Sequence, residues 1–392
     1  MIKVEGLTKV FETPNGSITA VDHVDMEVPE GEICVLLGPS GCGKTTTLKM
    51  INRLVTPTAG KVFIGNEDVT KMDTVELRRN IGYVIQQIGL FPNMTIEENI
   101  SIVPKMLGWK ATRYKARASE LLDMVALDPK LYLKRYPKEL SGGQQQRVGV
   151  IRALAANPPV MLMDEPFGAI DPINREVIQD EFLSMQENLK KTIMFVSHDI
   201  DEAVKMADKI AIFQNAKLAQ YSSPSDLLSH PKDAFIESFL GDDRFLKQLR
   251  LITVQEVMRE NPLYVEMGDS LESAYSKMDD NGYSFAITLV NEQKKPIGFV
   301  SKAAAKMDKG LCGDNFFGLT AVANPQDDLR KNISLMFANS LTWMPVIDDK
   351  GVLIGQISQK SITQYIGAGH ATNASGTKLQ TEAKPKPVVR VL

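Results

Sequence analysis

The sequence predicts an α/β fold over residues 1–232, on a largely parallel sheet, followed by a smaller module built from two copies of one unit. Three observations carry this. Short apolar runs alternate with helical patterns through the first part of the chain. A glycine-rich stretch, "GPSGCGKTT" from Gly38 to Thr46, follows one apolar run and opens a helical one. The segment "LESAYSKMDDNGYSFAITLVNEQKKPIGFVSK" recurs as "LRKNISLMFANSLTWMPVIDDKGVLIGQISQ", offset by 58 and then 57 positions.

The strand-like runs, in order, are "EICVLLG", "IGYVIQ", "VMLMDEP", "TIMFVSHD" and "KIAIF". Buried apolar strands separated by helices imply parallel pairing. After "SHD", Ile200, Ala203, Val204 and Ala207 fall on one helical face. From about residue 87 to 158 the composition shifts to helix formers, which predicts a helical subdomain inserted into the α/β frame. Residues 233–251 are expected to form a connecting helix. The repeat then divides into 252–310 and 311–366, with Leu271, Met278, Asn281 and Gly298 matched by Leu329, Met336, Asn339 and Gly355. The Gly-, Ala-, Thr-, Lys- and Pro-rich tail, 367–392, is expected to be disordered.

The chain has 392 residues, 43% of them hydrophobic, enough for two or three domains. Its net charge is −3 with both signs interspersed, so no nucleic-acid partner is expected. Cys34, Cys42 and Cys312 have neither paired nor metal-type spacing, which fits a reduced, cytosolic setting. The N-terminus lacks a signal-peptide core, and no apolar run approaches the ~20 residues of a membrane span. Any membrane role is expected to run through a partner.

"GPSGCGKT" matches the phosphate-loop pattern G-x-x-x-x-G-K-[ST]. Over Gly38, Pro39, Ser40, Gly41, Cys42, Gly43, Lys44, Thr45 and Thr46, backbone N–H groups can wrap phosphates, and the following helix N-terminus adds positive potential. Lys44 reaches the β- and γ-phosphates, and Thr45 offers its hydroxyl to Mg²⁺. "VMLMDEP" ends in Asp164, suited to holding Mg²⁺ through water or through its other ligands, and Glu165, suited to a general base on water. Many strands end in acids, so that pattern is weak alone. Gln86 and His198 end two further strands. A lone His is usually structural, but His198 stands 33 residues after Glu165, where a γ-phosphate sensor fits. Phe11 is either a core or surface aromatic or a stacking platform for adenine.

The order of phosphate loop, Gln86, "LSGGQ", "MDEP", "GAID" and "SHD" resembles the ATP-binding subunit of ABC transporters over residues 1–232. The resemblance implies a P-loop NTPase domain with a helical subdomain, acting as a homodimer packed head to tail. ATP held by one phosphate loop is then closed over by the partner's signature, Ser141, Gly142, Gly143 and Gln144, and Asp171 crosses the interface. Gln86 joins Thr45 and Asp164 at Mg²⁺, and Gln86, Glu165 and His198 take the catalytic positions. "GAID" departs from the family's Ser-Ala-Leu-Asp at its first and third positions, which touches the first contact of that loop and not Asp171.

"QQIGLFPNMTIEENI" has the form of importer subunits, "IVPKMLGW" resembles the osmoprotectant (glycine betaine, choline, carnitine) uptake branch, and the repeat resembles tandem CBS domains, an α+β module typical of that branch. These imply permease subunits in the membrane, an external substrate-binding protein, and a peripheral position on the cytoplasmic face of the inner (cell) membrane. Importers of other small solutes and non-transport ABC ATPases are the alternative readings. Nucleotide-binding CBS units often carry Asp three residues after the Ser or Thr that follows the last strand. Here Ser301 and Ser358 lead to Ala304 and Ser361, which favours a structural or ionic-strength-sensing role over adenosine binding.

Overall fold

The computed structural model describes residues 1–85, 89–168, 170–280, 286–307 and 309–373. The chain divides into two compact units, Met1–Gln248 and Leu249–Leu392.

In the first unit all five expected strands lie in one sheet, in the order Lys209–Gln214, Ile33–Leu37, Thr192–Val196, Val160–Asp164, Ile81–Val84. Every pair among them is parallel, and Lys217–Ser222 adds one antiparallel edge strand. Three of these strands are buried along their whole length, because helices and a second layer cover both faces. The second layer is an antiparallel sheet of Gly16–Val28, Ile2–Thr13, Ala59–Ile64 and Glu67–Asp68. Helix Lys44–Ile51 contributes Leu48, Met50 and Ile51 to the core shared by the two sheets. Leu48 is fully buried there, so Leu48→Ala removes about 2–5 kcal/mol of packing directly behind the phosphate loop.

The expected helical subdomain holds Ile96–Met106, Ala111–Met124, Pro129–Tyr132 and Gly142–Leu154. The expected connecting helix over 233–251 is instead two short helices, Ala234–Leu240 and Arg244–Gln248. Gly241 parts them at φ 83°, a backbone conformation that ends a helix.

The second unit carries the repeat, but its packing halves are not the contiguous segments 252–310 and 311–366. The first sheet joins Tyr264–Glu266, Ala286–Val290, Pro296–Ser301 and Phe317–Gly318, and the second joins Arg259–Glu260, Leu353–Ser358 and Trp343–Ile347. The short strand ahead of each copy thus pairs with the other copy. Cys312 packs in the first core, and Leu249, Val254 and Val257 pack in the second. The matched glycines explain the exchange. A Cβ on Gly298 would lie 2.4 Å from Phe316 Cδ2, and one on Gly355 would lie 2.7 Å from Met258 Sδ, each where the crossing strand lies. Leu271 with Leu329, and Met278 with Met336, are fully buried in corresponding helices. Asn281 lies outside the described residues. The last helix, Gln359–Asn373, continues into the segment expected to be disordered.

Candidate nucleotide site

The functional side chains gather where the parallel strands end. Ile33–Leu37 leads into Gly38, Val160–Asp164 ends on Asp164 with Glu165 next, and Thr192–Val196 leads to His198. In open parallel sheets the carboxyl ends of strands form the ligand crevice, because the helices that follow present their N-termini there.

Glycine is required at two points of the loop. Gly38 has φ 138°, and a Cβ there would lie 2.2 Å from the Phe213 carbonyl oxygen. Gly43 has φ 107°, and its Cβ would lie 2.4 Å from the Ala20 carbonyl oxygen. Gly43 also caps helix Lys44–Ile51 without any side-chain acceptor, so the first-turn N–H groups face the loop's concavity. Lys44 is buried, and its ammonium donates to the carbonyls of Gly38 at 2.7 Å and Pro39 at 2.9 Å. A γ-phosphate offers that ammonium a charged acceptor in place of two neutral ones. Ser40 and Gly41 are exposed on the loop, and Thr46 follows Thr45 in the helix's first turn. Cys42 turns its thiol inward, 3.6 Å from Lys44 Nζ.

Thr45 Oγ1 donates to Asp164 Oδ1 at 3.0 Å. Burial pushes the Asp164 carboxyl above the usual carboxylate range, and the Thr45 bond and the ammonium groups of Lys49 and Lys44 pull against it. A hydroxyl and a carboxylate side by side are hard oxygen donors that would suit Mg²⁺. Among the described residues no cluster of three or more His, Cys, Asp or Glu could hold a metal alone. Gln86 lies outside the described residues.

Glu165 leaves its strand at φ 48°, a left-handed conformation of the kind found where function holds a side chain against strain. Its N–H still donates to the Val196 carbonyl at 3.1 Å, and Oε2 stands 3.7 Å from His198 Nδ1. The exposed His198 ring and the half-buried Glu165 carboxylate therefore face the same space. A carboxylate fixed beside an imidazole at a phosphate cradle can take a proton from water while the ring meets the terminal phosphate.

Ser141 caps helix Gly142–Leu154, accepting from Gln144 N at 3.3 Å, while Gln144 Oε1 accepts from Ser141 N at 3.0 Å. Gln144 Nε2 donates to the Tyr132 hydroxyl at 3.0 Å. The local fold does not demand glycine at 142 or 143. A Cβ on Gly142 would meet nothing within 4 Å, and one on Gly143 would meet Ile178 Cδ1 at an ordinary 3.5 Å. Asp171 caps helix Pro172–Leu189 through Asn174 N at 3.1 Å. Phe11 is exposed on its strand, with Lys9 Nζ 4.8 Å from the ring centroid.

Arg175, Gln179 and Glu202, which no sequence motif marks, bond around the loop that carries His198. The available signal was the four-residue spacing of Arg175 and Gln179 on one helix, but their partners lie more than twenty positions on. In the second unit, Ser301 Oγ accepts from Ala304 N at 3.1 Å, and Ser358 and Ser361 cap one another reciprocally at 3.1 Å. The serine at the second of these positions is engaged with its own turn.

A family profile described as ABC transporter matches residues 21–168, and one described as CBS domain matches 254–304 and 320–368. The osmoprotectant import ATP-binding protein of Salmonella typhimurium is 54% identical across 95% of this chain and 98% of its own length. The glycine betaine/carnitine/choline transport ATP-binding protein of Bacillus subtilis is 42% identical over 93% and 96%. Among solved structures, a dimeric bacterial ABC transporter cassette aligns at 36% identity and TM-score 0.52, covering 57% of this chain and 99% of that one. A post-hydrolysis dimer bound to ADP and Pi aligns at 35% identity with the same TM-score and coverage.

Proposed function

The chain belongs to the ATP-binding subunits of ABC transporters, and on that premise we propose that it hydrolyses ATP to drive import of an osmoprotectant quaternary amine. Glycine betaine, choline and carnitine are the cargo class that its relatives' names specify. The observation that carries the catalytic assignment is the meeting of four parts at one crevice. These are the Gly38–Thr46 cradle, the Thr45–Asp164 oxygen pair, strained Glu165, and His198 at 3.7 Å from it.

In this reading Lys44 exchanges the Gly38 and Pro39 carbonyls for the β- and γ-phosphates. Thr45 and Asp164 hold Mg²⁺, with Gln86 as the third group. Glu165 orients and deprotonates the attacking water, His198 meets the γ-phosphate, and Phe11 stacks on adenine. Ser141, Gly142, Gly143 and Gln144 serve ATP held by a second copy. The two glycines support this: a Cβ at either would meet no clash within the chain, so the local fold gains nothing from the missing side chains. Asp171, at the start of the next helix, is placed at the same interface. The partners are permease subunits in the inner membrane, met from the cytoplasmic face, and an external substrate-binding protein. Among the described residues no helix is long and apolar enough to cross a membrane.

The test is uptake. Cells lacking this chain should lose energised import of labelled glycine betaine, choline or carnitine at high osmolarity. Glu165→Gln should fail to restore it while still binding ATP, with hydrolysis down about 10²–10⁴-fold. Unchanged uptake of all three amines contradicts the cargo class, and near-normal hydrolysis by Glu165→Gln removes Glu165 from the mechanism.

A further inference from the structure

His198 sits in a loop held from both sides by one helix. Helix Pro172–Leu189 begins at Asp171, and its Arg175 and Gln179 stand one turn apart on one face. Arg175 Nη2 donates to the Ile170 carbonyl at 3.0 Å, and Nη1 lies 3.5 Å from Asp199 Oδ2. One guanidinium thus spans the residue before Asp171 and the residue after His198. Buried Gln179 donates from Nε2 to Glu202 Oε1 at 3.1 Å, and Glu202 Oε2 accepts the Ser197 hydroxyl. Ser197 Oγ in turn accepts from Asp199 N at 3.0 Å, and Asp199 Oδ1 accepts from Glu202 N at 3.2 Å. The residues on both sides of His198 are therefore fixed to this helix, while the ring itself is free to reach Glu165 and a phosphate.

We propose that Arg175 is a positioning residue that couples the Asp171 turn to the His198 loop within one subunit, so that movement of the turn is passed to the imidazole. This rests on the ATPase reading above and adds to it a route between two of its parts. The guanidinium suits the task because its planar fork holds two acceptors in a fixed relation, which an ammonium on a flexible stem does not. The Gln179–Glu202–Ser197 bonds keep the far side of the loop in place, so a shift at Asp199 turns the loop rather than carrying it bodily.

Hydrolysis kinetics of the full-length chain test this. Arg175→Met should lower kcat about tenfold or more while leaving ATP affinity within about twofold, since the cradle is untouched. Asp199→Asn keeps the cap on Glu202 N but removes the charge opposite Arg175, and should lose kcat to a similar degree; it serves if Arg175→Met does not fold. Lys205→Met is the control. Lys205, on helix Ile200–Met206 with Glu202, bonds Asp180 at 2.7 Å and the Glu176 carbonyl at 3.2 Å, tying that helix to Pro172–Leu189 without touching Ile170 or Asp199, so its removal should leave kcat unchanged. A merely structural Arg175 and a positioning one separate in the His198→Ala background. There Arg175→Met should cost nothing further, because its target is gone. Full additivity with His198→Ala, or an effect on KM alone, overturns the coupling while the ATPase reading stands. A wild-type chain without ATP turnover overturns both.

Discussion

Gly43→Ala perturbs the phosphate cradle next to Lys44. A Cβ there lies 2.4 Å from the Ala20 carbonyl oxygen, where real Cβ contacts stay beyond 3.0 Å. Loop or strand must therefore give by about 0.6 Å, and both are backbone, with no flexible side chain to absorb it. The residue must also hold φ 107°, a strain of about 1–3 kcal/mol for alanine. A displacement approaching 1 Å at a positioning element costs on the order of 10²-fold. ATP hydrolysis should accordingly fall about 10²-fold, and ATP affinity should fall with it as the loop's N–H groups leave register with the phosphates. Gly41→Ala is the comparison: φ is 79°, but a Cβ there meets nothing within 4 Å, so only strain of about 1–2 kcal/mol applies. Calorimetric ATP titration and thermal unfolding of both variants decide the matter. A Gly43→Ala chain that binds ATP like wild type and melts no lower than Gly41→Ala refutes the reasoning.

Two further outcomes follow from buried groups. Cys42 is turned inward against Lys44, so alkylation of the native chain should be slow, slower still with ATP, and should abolish hydrolysis in step with labelling; full activity after stoichiometric labelling contradicts its placement in the cradle. Burial raises the Glu202 carboxyl above its ordinary 4.5, against the Ser197 bond, so the folded chain holds that proton more tightly than the unfolded one. The resulting stability is complete below 4.5 and is lost as pH rises through the elevated value. Urea unfolding should show wild type losing ground to Glu202→Gln over that window, and a constant difference contradicts it.

What could be read from the chain depended on how local its cause was. The five parallel strands were legible because burial on both faces makes them nearly continuous apolar runs, as in "ICVLL" and "VMLMD". The antiparallel sheet was not, because "IKVEGLTKVFET" is only half buried and its bulges between Val4 and Val10 break the two-residue alternation. The repeat was legible from Leu271, Met278 and Gly298, each of which does the same job as its match. Exchange of the short strands was not, since Arg259–Glu260 meets Gly355 and Gln356 almost a hundred positions away and no local pattern encodes a partner. At the site, Lys44, Thr45, Asp164, Glu165 and His198 were legible because phosphate binding fixes residue types at fixed offsets. The Arg175 and Glu202 contacts were not, since their meaning lies in the packing of two helices.

The head-to-tail ATP site is tested most directly in covalently linked mixed dimers. Ser141→Arg places a bulky cation where the signature would close on the γ-phosphate but leaves its own phosphate loop intact. Lys44→Ala damages its own loop but leaves its own signature intact. If the signature serves the partner's nucleotide, the loop of the first subunit and the signature of the second make one undamaged site, and the other site carries both lesions. The linked dimer should then occlude one ATP, while each parent homodimer occludes none tightly. If the signature served its own subunit, both sites would carry one lesion each. A folded mixed dimer that occludes no ATP contradicts the assignment of Ser141 and Gly143 across the interface.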